Sequence, residues 1–144
     1  MLTYVWVSAW QQQCCGPDFG LGSNVTWQVV PSGGEDHWIT TLLGPDWGDA
    51  VRYVEDHPET EPAERLREVH GVVRSIRVIT CDRVLQQAPA GGPDRPVWMP
   101  VPGSGRLRQV ELADPWEPEQ GMDGPEQSFD GWIVELEIDH EPAG

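Results

Sequence analysis

The chain has 144 residues, with 24 acidic side chains against nine arginines, no lysine, and a net charge of −15. So acidic a surface repels nucleic-acid phosphates and anionic membranes, and it favours a basic protein, a cation or a cationic ligand. No run approaches the roughly 18 apolar residues of a membrane-spanning helix, and Met1–Val7 lacks the basic start of a secretory signal. Three cysteines, two of them adjacent, are not the framework of a disulfide-stapled secreted domain, so the reducing cytoplasm is the expected compartment.

Sixteen glycines and fourteen prolines call for many turns and long loops. Eight tryptophans, each able to bury on the order of 200 Å², supply a core. In chain order, Leu2–Val7 is β-branched and aromatic without clean alternation, which predicts a strand covered on both faces. A turn over residues 11–18 follows. Val25, Trp27 and Val29 alternate with Thr26 and Gln28 as in a half-buried strand, and their parity assigns Trp27 to the core. Glu35–Leu43 has helical spacing and stops at Gly44-Pro45. Asp46–Glu55 reads as a second short helix with Trp47, Val51 and Val54 as its apolar stripe.

Residues 56–68 are acidic and read as an exposed loop. Val69–Leu85 is the longest β-like run. Its apolar residues occupy both parities, which requires a bend or a face-swapping bulge, and Gly71 is the expected bend point. Pro96–Val101 reads as an edge strand, Arg106–Leu112 as a further strand, and residues 113–130 as a long acidic loop. Trp132, Val134, Leu136 and Ile138 then alternate with Ile133, Glu135, Glu137 and Asp139 in the cleanest strand of the chain. The expectation is one mainly β domain over residues 1–144. Its architecture would be a small antiparallel barrel of five to seven strands with a helical insertion at about 35–55.

Phe19-Gly20-Leu21-Gly22-Ser23-Asn24-Val25 resembles the first-strand signature of SH3-like barrels, and His70-Gly71-Val72-Val73-Arg74-Ser75-Ile76 resembles the next strand of that fold. The resemblance implies that the strand at 24–30 pairs with that at 71–79. The whole chain also resembles a family of short, acidic, uncharacterised actinobacterial proteins. That resemblance rests on W-Q-x-x-C-C-G near the start, the G-x-x-V-x-W strand, W-x-x-x-L-L-G and V-P-G, and it implies a shared fold and no activity.

Trp10-Gln11-Gln12-Gln13-Cys14-Cys15-Gly16 is the segment of most unusual chemistry. Cys14, Cys15 and Cys81, with one of His37, His57, His70 or His140, make up a candidate zinc set. Adjacent cysteines are a poor match to the usual C-x₂₋₄-C chelate, and buried structural thiols explain them more simply. A nucleophilic Cys14 or Cys15 would need a partner such as His70 to lower its pKa. In the barrel topology Cys81 would approach the turn at 14–22. Among the tryptophans, Trp10, Trp98 and Trp116 fall in loops or at strand ends and are candidates for a ligand-binding aromatic surface. Glu135, Glu137 and Asp139 share a polar face that could pair with Arg106 and Arg108. No P-loop, G-x-S-x-G, His-x-x-x-His or dinucleotide fingerprint is present. The expected function is therefore a non-enzymatic binding module without a cofactor, holding a protein or small ligand through its acidic surface and loop tryptophans. The alternative is a cysteine-based zinc protein or thiol-dependent enzyme.

Overall fold

A computed structural model of the chain describes residues 1–9, 12–13, 18–32, 38–56, 62–118, 122 and 124–142. In chain order its elements are β1 (Leu2–Ser8), β2 (Asn24–Pro31), α1 (Trp38–Leu43), α2 (Pro45–Ala50), β3 (Val51–Glu55), β4 (Arg67–Gln87), β5 (Pro96–Pro100), β6 (Arg106–Val110) and β7 (Gln127–Ile138). The protein is mainly β, and these seven strands form one mixed sheet. The pairings run β2–β3–β1–β7–β4, and β4 pairs again with β2. β5 and β6 attach to β4. All of these pairs are antiparallel except β1–β3, which is parallel, so the sheet is mostly antiparallel, as expected, with one parallel pair that the antiparallel barrel did not include.

That parallel pair corrects the reading of residues 46–55 as one helix. Pro45 opens α2, but the helix ends at Ala50, and Val51 takes an extended conformation (φ −77°, ψ 109°). Val51, Tyr53 and Val54 favour a pleated, half-buried surface, and β3 uses them between β2 and β1. The helical spacing of Trp47, Val51 and Val54 coincided with burial on different elements. The expected loop at 56–68 is shorter than predicted: Asp56 is buried and its N–H donates to the Gln28 carbonyl, and β4 begins at Arg67.

β4 follows its expected run and swaps faces as expected, but not at Gly71. The register shift lies between Val73 and Ser75. Before it Val69 and Val73 point inward; after it Ile76 and Val78 do. Gly71 serves close approach instead, since a Cβ there would lie 2.7 Å from the Glu137 carbonyl oxygen. The inner cluster joins these residues to Val5, Val7 and the inward residues of β7, with Trp132 fully buried.

The outer face is also covered. Trp6, Ile79 and Ile133 pack under Ile39 of α1, with Trp38 and Trp47 at the margin. This explains why β1 shows no alternation. Arg77 projects from β4 with its guanidinium carbon 5.8 Å from the Tyr4 ring centre and 5.3 Å from that of Trp47. The cation thereby ties α2 to the sheet.

A second register shift on β4, between Ile79 and Thr80, faces Asp130-Gly131 on β7. Ile79 opposes Gly131 and Thr80 opposes Phe129, which leaves Asp130 as the extra residue of a bulge. Gly131 has φ 143°, and a Cβ there would meet the Val7 carbonyl oxygen and the Trp6 ring. Gly131→Ala is expected to cost about 3 kcal/mol or more through clash and backbone strain. Gly91→Ala, in open space at φ 88°, should cost about 1 kcal/mol. Urea unfolding of both variants checks this, and equal losses would remove the close-packing explanation.

Candidate functional site

Phe19 precedes a tight turn. The Gly20 N–H donates to Ser23 Oγ at 3.0 Å, and the Ser23 N–H donates to the Gly20 carbonyl. Gly22, at φ 82°, donates its N–H to the Val73 carbonyl, and its positive φ is a conformation that suits glycine. The turn delivers the chain into β2, where Val25 and Trp27 point toward the inner cluster. Phe19 is buried and meets Trp27 edge-on, with ring centres 5.1 Å apart and planes at 74°. A second edge contact joins Phe19 to Trp132 at 6.0 Å.

A cleft of about 370 Å³ opens beside this aromatic pair, lined by Gln12, Asp18, Phe19, Ser23, Asn24, Val25, Thr26, Trp27 and Glu55. Glu55 ends β3, opposite Val29 of β2, and is only 2% exposed. Gln12 is buried too. Among the described residues the lining contains two carboxylates, aromatic and apolar walls, and no arginine or histidine. A carboxylate beside aromatic rings attracts a cation that can place its charge on the acid and its body on the rings. The size lies within the usual range for ligand sites.

Three residues of this site were missed from sequence. Trp27, on a core parity, packs against the inner cluster and, half-buried, also lines the cleft. Phe19 carries only the strand signature in the sequence. Glu55 fell in the expected helix. The available signal was Trp27's position at the open end of a strand that begins at a glycine turn.

Among the sequence candidates, Trp10, Cys14, Cys15, His37 and His57 lie outside the described residues. Trp98 is half-buried on β5 opposite Leu85. Trp116 is exposed, and its backbone N–H donates to the Asp114 carboxylate at 2.9 Å. No ring contact joins Trp98 to Trp116 among the described residues. His70 stands exposed on β4 with Nδ1 2.7 Å from Thr26 Oγ1, and His140 is exposed beyond β7. His70 and Cys81 sit eleven residues apart on one extended strand, too far to share an ion whose ligands stand about 2 Å away. Among the described residues no group of three or more His, Cys, Asp or Glu is placed to hold a metal.

Glu137 pairs with Arg74 at 2.6 Å, while Arg106 pairs with Asp82 and Arg108 with Glu117. Glu137 therefore does not pair with Arg106 or Arg108, the partners considered for it from sequence. Arg106 holds the Asp82 carboxyl below its usual range. These ion pairs are exposed and add little stability.

A family model matches residues 1–138 of the chain, and its description is a family of unknown function, DUF6578. The chain belongs to that family. No curated protein and no solved structure matches it. Membership therefore brings no catalytic residue with it, and the site rests on its own geometry.

Cys81 is fully buried opposite Ser128. Its Sγ lies 3.2 Å from Ser128 Oγ, which in turn donates to Asp130 Oδ1 at 3.2 Å. Burial above all, with Asp130 adding to it, pushes the thiol up to about 11. A thiol so held is no nucleophile at neutral pH. In a Cys14→Ser/Cys15→Ser variant at pH 8, Cys81 is expected to resist iodoacetamide when native and to react in urea. The unfolded thiol ionises near 9.0 and the folded one near 11. The stability this buried thiol contributes is thus fully present below pH 9 and is lost as pH rises toward 11. Rapid native alkylation at pH 8 would contradict the burial.

Proposed function

We propose that this protein is a non-enzymatic binding module for a basic partner or cationic small ligand, held in the cleft between the Phe19–Trp27 pair and Glu55. One observation carries the reading: a buried carboxylate lines an aromatic cleft whose wall, among the described residues, holds no basic side chain. A cationic group entering the cleft meets acidic and aromatic groups together. The acidic surface, at net charge −15, raises the local concentration of cations around the opening. Trp98 and Trp116, on other elements, stay available to a larger partner.

The finer fold reading, a small SH3-like barrel, belongs to the same proposal. The return of the pairings from β4 to β2 supports it. So does the pairing of the two segments that resemble the barrel signature, with Val25 opposite Gly71. The parallel β1–β3 pair departs from the simple barrels.

N-acetyl-arginine amide, titrated against the full chain and followed by tryptophan fluorescence, is expected to bind in the millimolar range. Glu55→Gln should weaken it by about tenfold, and Trp27→Leu should weaken it and remove most of the fluorescence response. Far-UV spectra and melting curves control for folding. No saturable binding, or a folded Glu55→Gln variant that binds equally well, would sink the reading. Metal analysis of the purified protein tests the rival: stoichiometric zinc lost in Cys15→Ser would move the function to the cysteines.

A further inference from the structure

The lining of the cleft includes five consecutive residues, Ser23 and the first four of β2, Asn24 through Trp27. Side chains of successive strand residues point to opposite faces, so one face of a strand contributes only every second residue. A wall made of an unbroken run is the edge of the strand, where the main chain itself is presented.

The hydrogen bonds fix which main-chain groups are presented. The Val73 N–H donates to the Ser23 carbonyl, so odd-numbered residues at this end of β2 turn their peptide groups toward β4. In an antiparallel ladder the direction alternates along the strand. The Asp56 N–H donates to the Gln28 carbonyl, and Val30 opposes Val54 of β3. Even-numbered residues therefore turn toward the β3 side. β3 reaches no further along β2 than Glu55 opposite Val29. Among the described residues no strand pairs with that edge at Asn24 and Thr26, and their N–H and C=O groups face the cleft.

Resting on the cleft as the binding site, we infer that its ligand is an extended basic peptide segment of a partner protein, which adds a strand to the Asn24–Trp27 edge of β2. Strand addition supplies affinity through main-chain hydrogen bonds and specificity through alternate side chains. Here the alternate side chains meet Trp27 and Phe19 in the wall, Glu55 at the β3 end and Asp18 at the rim. An arginine or lysine at those positions complements both acids, and an acidic segment is repelled.

The probe is an acetylated and amidated hexapeptide of alternating arginine and valine, titrated calorimetrically against the full chain. It is expected to bind at least about tenfold tighter than N-acetyl-arginine amide, because each main-chain hydrogen bond adds to the charge contact. N-methylation of alternate residues of the peptide, in whichever register faces the edge, should cost about tenfold. Thr26→Pro removes an N–H that faces the cleft, not one that bonds β4, and should weaken the peptide by a similar factor. Its melting curve reports whether it folds; if it does not, the N-methylated peptide on the unaltered protein carries the test alone.

Equal binding of the methylated and unmethylated peptides, in both registers, would overturn strand addition while leaving the cationic cleft intact. Equal binding of the peptide and the arginine amide would do the same. Failure of peptide and amide alike would overturn the cleft as well. A dimer in sedimentation that dissolves on Thr26→Pro would place a second copy of the chain on this edge and overturn the peptide assignment.

Discussion

β4 is one unbroken strand of 21 residues that pairs with β2, β7, β6 and β5, and the fold depends on where that strand changes face. A one-residue slip in a ladder sends every following side chain to the opposite side. The shift between Val73 and Ser75 uses this property to keep Val69, Val73, Ile76 and Val78 in one core. A regular strand would have turned the last two outward. The second shift, at Ile79 and Thr80, is met by the Asp130 bulge and by Gly131. Bulges bend strands and increase twist, and the sheet so bent comes back to pair β4 with β2.

The same constraint opens the cleft. β4 occupies one edge of β2, and among the described residues β3 covers the other, with five residues against the eight of β2. Three of them are opposite Val29, Val30 and Pro31, while the other edge of β3 pairs with Tyr4, Val5 and Trp6 of β1. Among the described residues the first half of β2 is left with one edge unmatched. Aromatic residues fill the inner side of that gap: Phe19 contacts both Trp27 and Trp132, which links the cleft wall to the most buried ring of the core.

Strands with a strong local signal were legible in the sequence. Alternation marked β2 and the second half of β7, flanking prolines marked β5 as an edge, and the mixed parity of β4 required the face swap that is found. The pairing of β2 with β4 agrees with the resemblance to barrel signatures only in part: residues 24–29 pair with 67–72, and the rest of the expected 71–79 segment pairs with β7 and β6 instead. Where the sequence misled, two physical demands shared one pattern. Val51 and Val54 fit a helical stripe as well as a strand, and pairing with β1 decided the matter. Gly71 could have been a hinge, but its constraint is the Glu137 backbone pressed against it. The cleft itself was not legible, because it lies where strands of unequal length meet, and no residue type encodes that. Glu55 gave no warning either: one glutamate among 24 acids is unremarkable until its burial is known.

An unpaired strand edge invites pairing between copies of the same chain, and proteins protect such edges with charge, bulges or short exposed runs. Here the exposed run is short, from Asn24 to Trp27, and it is flanked by Asp18 and Glu55. Two copies meeting at this edge would bring those acids together on surfaces that each carry −15 overall, and like charges directly opposite destabilise a strand pair. A basic strand meets no such penalty. Under the strand-addition proposal, the charge that seems non-specific when read from composition has a local role: it disfavours pairing of two copies at this edge and favours strands of opposite sign.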